Sequence, residues 1–233
     1  MDNPRILGVL GGMGPLASAQ FMTRLTLLTP AERDQDHIPA ILWSDPRVPD
    51  RVAAQRGGES PLPALLAGLR GLEAAGCGAV AMPCNTAHGW FDAMQAATAL
   101  PILHIVDATA AELRRVGITG TVGVMGTTAT LAMRLYQDRL ERQGWPCITP
   151  TEAEMRDLVS PAIAAVKANR VEATYEPLMR CARHLADRGA AAIVLGCTEI
   201  PLGIAAGPAV PGLAFIDTID ALARAAIGWA REG

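Results

Sequence analysis

The stretch "GCGAVAMPCNTAH", residues 76–88, runs from a glycine through a short apolar segment to a cysteine followed by Asn85, Thr86 and His88. An apolar run this short, bounded by glycine and proline, reads as a buried strand rather than a helix. The same order returns at "GAAAIVLGCTEIP", residues 189–201, where Cys197 matches Cys84. Upstream, "ILGVLGG" (6–12) is echoed by "TVGVMGT" (121–127), with Gly8 matching Gly123. Downstream, "HIVD", ending at Asp107, is loosely echoed by "AFID", ending at Asp217. Three matches in order at a nearly constant offset indicate two similar lobes, the product of a duplication.

The rest of the chain follows that pattern. Buried strands are expected at 5–10, 40–43, 78–82, 101–105, 121–125, 191–195 and 213–216. "SPLPALLAGLRGLEAAG" and "EPLMRCARHLADRG" carry helical spacing and stop at Gly76 and Gly189, where a helix C-cap glycine belongs. Strands alternating with helices mean parallel sheets. The expected fold is therefore α/β, with two flavodoxin-like lobes related by a pseudo-twofold axis and an active site between them. Residues 1–104 plus 217–233 form one lobe and 105–216 the other, with a last helix at about 217–231 crossing back to the first. Ligands in such sheets bind at the C-terminal ends of the strands, which is where both cysteines stand.

Composition narrows the function classes. The 233 residues carry a formal net charge of -3 and are 50% hydrophobic, with no basic stripe, so nucleic acid is not an expected partner. No apolar run reaches the roughly 18 residues of a membrane helix. "RILGVLGGMGPLASAQ" has the outline of a signal peptide, but Asp2 offsets Arg5 and Gly11, Gly12, Gly14 and Pro15 interrupt the run. A buried strand turning into a helix explains it better, and a cytoplasmic protein is expected. The five cysteines include no Cys-x-x-Cys pair, which argues against zinc, a disulfide framework or a thioredoxin-like site. The run Gly-Gly-Met-Gly lacks the spacing of a nucleotide loop, and a tight turn lining the cleft is expected, with Met13 and Gly14 at the substrate. Thr127 and Thr128 occupy the equivalent loop of the second lobe and are likewise expected to bind substrate.

Each of Cys84 and Cys197 follows a strand and opens a predicted helix, whose N-terminus favours a thiolate or a bound carboxylate. Two thiols on opposite sides of a flat carbon centre have the geometry to invert it, one removing a proton and the other supplying one. Donors aimed at the neighbouring carboxylate would stabilise the carbanion. No lysine motif for pyridoxal phosphate and no metal cluster is evident, so no cofactor and no metal are expected. Cys77, Cys147 and Cys181 read as structural thiols, the second in a strand-like position and the third on an apolar helix face. His88, one turn after Cys84, is placed to tune its thiol or to bond a backbone carbonyl. Glu199 is placed to orient a neighbour or raise local basicity.

The segments "GGMGPLASA", "TPAERDQDH", "DPRVPDR", "MPCNTAH", "TPTEAEM" and "GCTE", standing in this order, resemble the cofactor-independent aspartate/glutamate racemase family, and most its aspartate racemase branch. The resemblance spans essentially the whole chain and is most specific at "PCNTAH" and "GCTE". It implies that Cys84 and Cys197 are the catalytic pair and that Asn85, Thr86 and Thr198 hold the α-carboxylate. It further implies that Arg51 and Lys167 recognise the second carboxylate of a dicarboxylic amino acid, and that the protein is a homodimer. Glutamate racemases resemble the chain at the cysteines but read Gly-Cys-Thr-His, whereas arylmalonate decarboxylases use one cysteine. Hydantoin racemases and maleate isomerases also have cysteine pairs, and a non-catalytic dicarboxylate-binding protein is a further alternative.

Overall fold

Two four-stranded, all-parallel sheets form the framework. The computed structural model describes residues 5–231; Asp2 and the outer ends of the expected first lobe, 1–4 and 232–233, lie outside the described residues. In the first sheet β1 (Leu7–Gly11), β2 (Ala40–Ser44), β3 (Ala79–Ala81) and β4 (Ile102–Leu103) lie in the order β2-β1-β3-β4. In the second, β5 (Val122–Gly126), β6 (Cys147–Ile148), β7 (Ala192–Gly196) and β8 (Phe215–Asp217) lie in the order β6-β5-β7-β8. The two orders are the same, as a duplicated flavodoxin-like lobe requires.

The chain divides into two compact units: the described residues up to Ala108 with those from Ile219 onward, and Thr109–Thr218. The helices Ile105–Arg115 and Thr218–Arg231 carry the chain from one unit to the other. The last helix is tied to the first unit by a bidentate Arg24–Asp220 pair and by Arg5, whose guanidinium donates to Trp229 O and lies over the Trp229 ring.

The matched glycines have a common cause. A Cβ on Gly8 would meet Leu72 Cδ1 at 3.1 Å and Cys77 Sγ at 3.2 Å. On Gly123 it would meet Ile193 Cδ1 at 2.9 Å and Leu185 Cβ at 3.2 Å. Leu72 and Leu185 belong to the helices Leu62–Ala74 and Tyr175–Asp187, which precede β3 and β7. Each helix therefore presses on the first strand of its own unit, where only glycine leaves room. Both helices stop in the same way: Gly76 (φ 80°) and Gly189 (φ 92°) take the left-handed conformation. The next residues, Cys77 and Ala190, donate back to Leu72 O and Leu185 O, a Schellman stop. Leu72 and Leu185 are fully buried, an environment worth about 1.5–3 kcal/mol for each such side chain.

Two details differ from the sequence reading. The strand expected at 101–105 is only Ile102–Leu103, because Ile105 already begins a helix. An eighth strand, Cys147–Ile148, completes the second sheet at its edge, where two residues suffice. Among the described residues no helix is long and apolar enough to cross a membrane.

Candidate active site

In the first unit, the cysteine loop follows β3. Met82 and Pro83 lead out of the strand, and a tight turn from Cys84 N–H to Met82 O (2.8 Å) sets the thiol just beyond it. Cys84, Asn85, Thr86 and His88 are all buried. The following segment, Thr86–Trp90, is a 3-10 helix, and α-helix begins only at Phe91. His88 Nδ1 lies 2.9 Å from Cys84 O, while its Nε2 accepts from the Ile105 backbone N–H at 3.2 Å.

Beside this loop lies the turn after β1. Ser18 Oγ accepts from Gly12 N–H (2.9 Å) and donates to Gly14 O (2.8 Å), fixing the glycine turn. Gly12 has φ 91°, and a Cβ there would lie 2.4 Å from the Asp45 backbone, so only glycine fits. The Met13 side chain is in the core cluster that also holds Cys84 and Val48. Its carbonyl accepts from Arg51 Nη2 at 3.0 Å.

Arg51 is the most telling charge in this unit. It is only 8% exposed and starts the short helix Arg51–Ala54, capped by Asp50. Nη1 donates to Val48 O and Pro49 O, each at 3.1 Å, and Nη2 to Met13 O. Its Nε has no hydrogen-bond partner among the described residues. A guanidinium has five N–H donors. Three are taken by neutral carbonyls, leaving Nε–H and one Nη2–H beside a buried positive charge.

In the second unit, Gly126 of β5 pairs with Gly196 of β7, so Thr127 and Cys197 leave adjacent strand ends together. Tyr136, fully buried, limits the space at Gly196: a Cβ there would come within 3.2 Å of its ring. The Cys197 thiol donates to Glu199 Oε2 at 2.9 Å, and Thr198 Oγ1 donates to the same oxygen at 3.3 Å. Burial, then the negative Glu199 carboxylate and its hydrogen bond, push the Cys197 thiol well above its ordinary range, while Lys167 pulls weakly the other way. This reverses the expectation of a thiolate favoured by a helix N-terminus. The Glu199 backbone N–H also favours the thiolate, but it and Lys167 are outweighed by burial and by the Glu199 carboxylate.

The remaining predicted residues divide by role. Thr127 Oγ1 caps the helix Thr128–Ala132, accepting from Thr130 N–H at 3.0 Å and sharing a hydrogen bond with Thr130 Oγ1. Thr128 is half-buried, and Lys167 is exposed at the end of the helix Ser160–Lys167. Cys147 and Cys181 are both pushed up to about 12, chiefly by burial, and Cys77 is also raised by burial, as structural thiols should be. Among the described residues no group of three or more His, Cys, Asp or Glu could hold a metal ion.

The family model for Asp/Glu/hydantoin racemases matches residues 10–226. The chain belongs to this family. Its racemase class is the one expected from the cysteine motifs. Aspartate racemase of Picrophilus torridus superposes with a TM-score of 0.83 at 32% identity, covering 97% of this chain and 94% of that one. The broad specificity amino-acid racemase RacX of Bacillus subtilis is 28% identical over 84% of this chain and 86% of its own length. Glutamate racemase of Francisella tularensis, solved with D-glutamate, shares the fold at a TM-score of 0.70 and 16% identity, covering 98% of this chain and 82% of that one.

Sequence reasoning passed over three residues that hold or crowd the loops of the candidate site. Ser18 sat inside the small-residue run that looked like a cleavage site, although a serine four residues after Gly14 can bond its carbonyl. Thr130 stands three residues after Thr127, the spacing of a helix cap. Tyr136 gave no local signal, because its contact with Gly196 comes from packing between distant segments.

Proposed function

We propose that the protein racemises an acidic amino acid, aspartate first, without a cofactor, by proton transfer at Cα between Cys84 and Cys197. The observation that carries the reading is the pair of thiols at the ends of equivalent strands, each flanked by short hydrogen-bonding side chains. Both half-sites bring an amide or hydroxyl beside the sulfur: Asn85 and Thr86 in one, Thr198 in the other. These groups would meet the α-carboxylate and stabilise the negative charge that develops as the α-proton leaves.

The cycle balances with two sulfurs that carry one proton between them before and after the reaction, while two protons move. One sulfur, as thiolate, takes the Cα proton and becomes S–H. The carbanion's electron pair then takes the proton of the other S–H from the opposite face, leaving a thiolate there. With its proton held against Glu199, Cys197 rests as the acid. Cys84 is then the base that opens the cycle, and the two exchange roles for the other enantiomer. Lys167, whose charge favours the Cys197 thiolate, eases that exchange.

The dicarboxylic preference rests on Arg51. A buried guanidinium with two remaining donors is suited to a carboxylate, which accepts two parallel N–H bonds. Lys167 would approach the same carboxylate as a flexible point charge. The 32% identity to an aspartate racemase favours aspartate, and the likeness to RacX favours a second reading, a wider range of amino acids. Five free cysteines suit a reducing compartment, and on that ground we assign the protein to the cytoplasm; the homodimer is carried over from the family resemblance alone. The test is chiral chromatography of purified protein incubated with L-aspartate, L-glutamate, L-lysine and a 5-substituted hydantoin. Fastest inversion of aspartate supports the proposal; comparable rates for lysine favour the broad reading; no inversion of any of them overturns both.

A further inference from the structure

His88 is fixed by two backbone groups, and its tautomer follows from them. The Ile105 N–H points at Nε2, so that nitrogen must present its lone pair. The ring proton of a neutral imidazole is then on Nδ1, which faces Cys84 O at 2.9 Å and donates to it. Neither nitrogen is left to carry a proton to or from a substrate. The ring is only 3% exposed and is held edge-on by His104, with centroids 4.9 Å apart. His104 is itself oriented by Val106 N–H, which donates to its Nδ1 at 3.1 Å, and it packs edge-on against Phe91 at 4.5 Å. His88, Phe91 and His104 thus pack as one aromatic block.

We propose that His88 is a positioning residue for the Cys84 thiol: its Nδ1–H fixes the Cys84 carbonyl, and Ile105 N–H fixes the ring. The mouth of this loop has little regular structure to hold it, because β3 ends at Ala81 and the following turns are 3-10. Through the Ile105 N–H, His88 ties the cysteine loop to the start of the helix that follows β4. The sulfur is two bonds from the Cα whose carbonyl His88 holds. A rotation of this peptide would swing the sulfur, and misplacing a reacting atom by about 1 Å can cost about a hundredfold in rate. The catalytic consequence rests on the two-thiol reading; the positioning of Cys84 does not.

Two isosteric variants separate the ring's functions. In His88→Asn the side-chain amide N–H can take the place of Nδ1–H and still reach Cys84 O. In His88→Gln the amide extends toward the Nε2 position, where its oxygen can accept from Ile105 N–H but the bond to Cys84 O is lost. The first readout is carbamidomethylation of Cys84 and Cys197 by iodoacetamide, followed peptide by peptide by mass spectrometry. The second is kcat and KM for aspartate. In His88→Gln the Cys84 rate should change severalfold with Cys197 unaltered, and kcat should fall roughly tenfold to a hundredfold with KM little changed. His88→Asn, which keeps the bond to Cys84 O and loses only the tie to Ile105, should stay closer to wild type than His88→Gln in both readouts. A kcat loss as large in His88→Asn as in His88→Gln, or unchanged Cys84 labelling in folded His88→Gln, would overturn the proposal. If the wild type does not turn over aspartate, the labelling result alone still decides the positioning role, and the racemase reading fails separately.

Discussion

Replacing Arg51 by lysine keeps the charge and removes the fork. Of the five guanidinium donors, three go to the Val48, Pro49 and Met13 carbonyls and two remain, which the proposal gives to the substrate carboxylate. An ammonium has three. It can satisfy the three carbonyls and offer the substrate none, or release one or two of them to reach the substrate. Either way aspartate loses at least one charge-assisted hydrogen bond, about 1.5–3 kcal/mol, or roughly tenfold to a hundredfold. Any carbonyl left unpaired costs about 1–3 kcal/mol of stability, so a lower melting temperature should accompany the change. The assay is steady-state racemisation of L- and D-aspartate by chiral chromatography, with succinate as a competitive inhibitor. KM for aspartate should rise by that factor in both directions with a smaller change in kcat, and succinate inhibition should weaken in parallel. A KM within threefold of wild type, with unchanged succinate inhibition, would refute the assignment of Arg51 to the second carboxylate.

Four further outcomes follow from the half-sites and their supports. Glu199→Gln removes the charge that raises the Cys197 thiol, so the pH midpoint for alkylation of Cys197 should move down, measured by mass spectrometry across a pH series. Cys147 and Cys181, both pushed up to about 12, should stay unlabelled in the folded protein at pH 8 under conditions that label them after denaturation. Gly123→Ala places a methyl 2.9 Å from Ile193 Cδ1 and should destabilise the protein by about 1–3 kcal/mol in urea unfolding. Burial would raise the Glu154 carboxyl, but hydrogen bonds from Thr151 N–H and His184 and the charge of Arg188 outweigh it and hold it below its ordinary range. Its folded pKa is the lower one, so its stabilisation is present above the unfolded pKa and fades as pH falls through the folded one. Glu154→Gln should therefore lose stability at pH 7 and flatten the acid limb of a stability–pH curve.

Much of the fold was legible because the same physical demand is written twice. Gly8 and Gly123 answer a helix lying on a strand, and Gly76 and Gly189 answer a left-handed helix stop. Each pair is therefore visible as a repeat. The strands were legible as apolar runs, except where His104 and Ile105 continue an apolar pattern into a helix and where β6 is only two residues long. At the site, residue types could be assigned to each half from the motifs, but not their electrostatics. Glu199 stands two residues from Cys197, and only the fold shows its carboxylate accepting from the thiol. The helix-terminus argument took in neither burial nor the neighbouring carboxylate, both of which favour the protonated Cys197 thiol. Arg51 is singled out in the sequence by the family resemblance alone. Its burial and its unpartnered Nε are products of how the turns after β1 and β2 close around it.

The central claim is that two thiols exchange a proton at Cα from opposite faces. The direct measurement is L-aspartate turnover in D2O at early conversion, reading the α-position of both enantiomers by mass spectrometry after chiral separation, for wild type, Cys84→Ala and Cys197→Ala. The account predicts D-aspartate carrying deuterium at Cα while unreacted L-aspartate keeps protium, with no D-aspartate formed by either variant. Protium retained in the D-aspartate, or full turnover by either alanine variant, would contradict it.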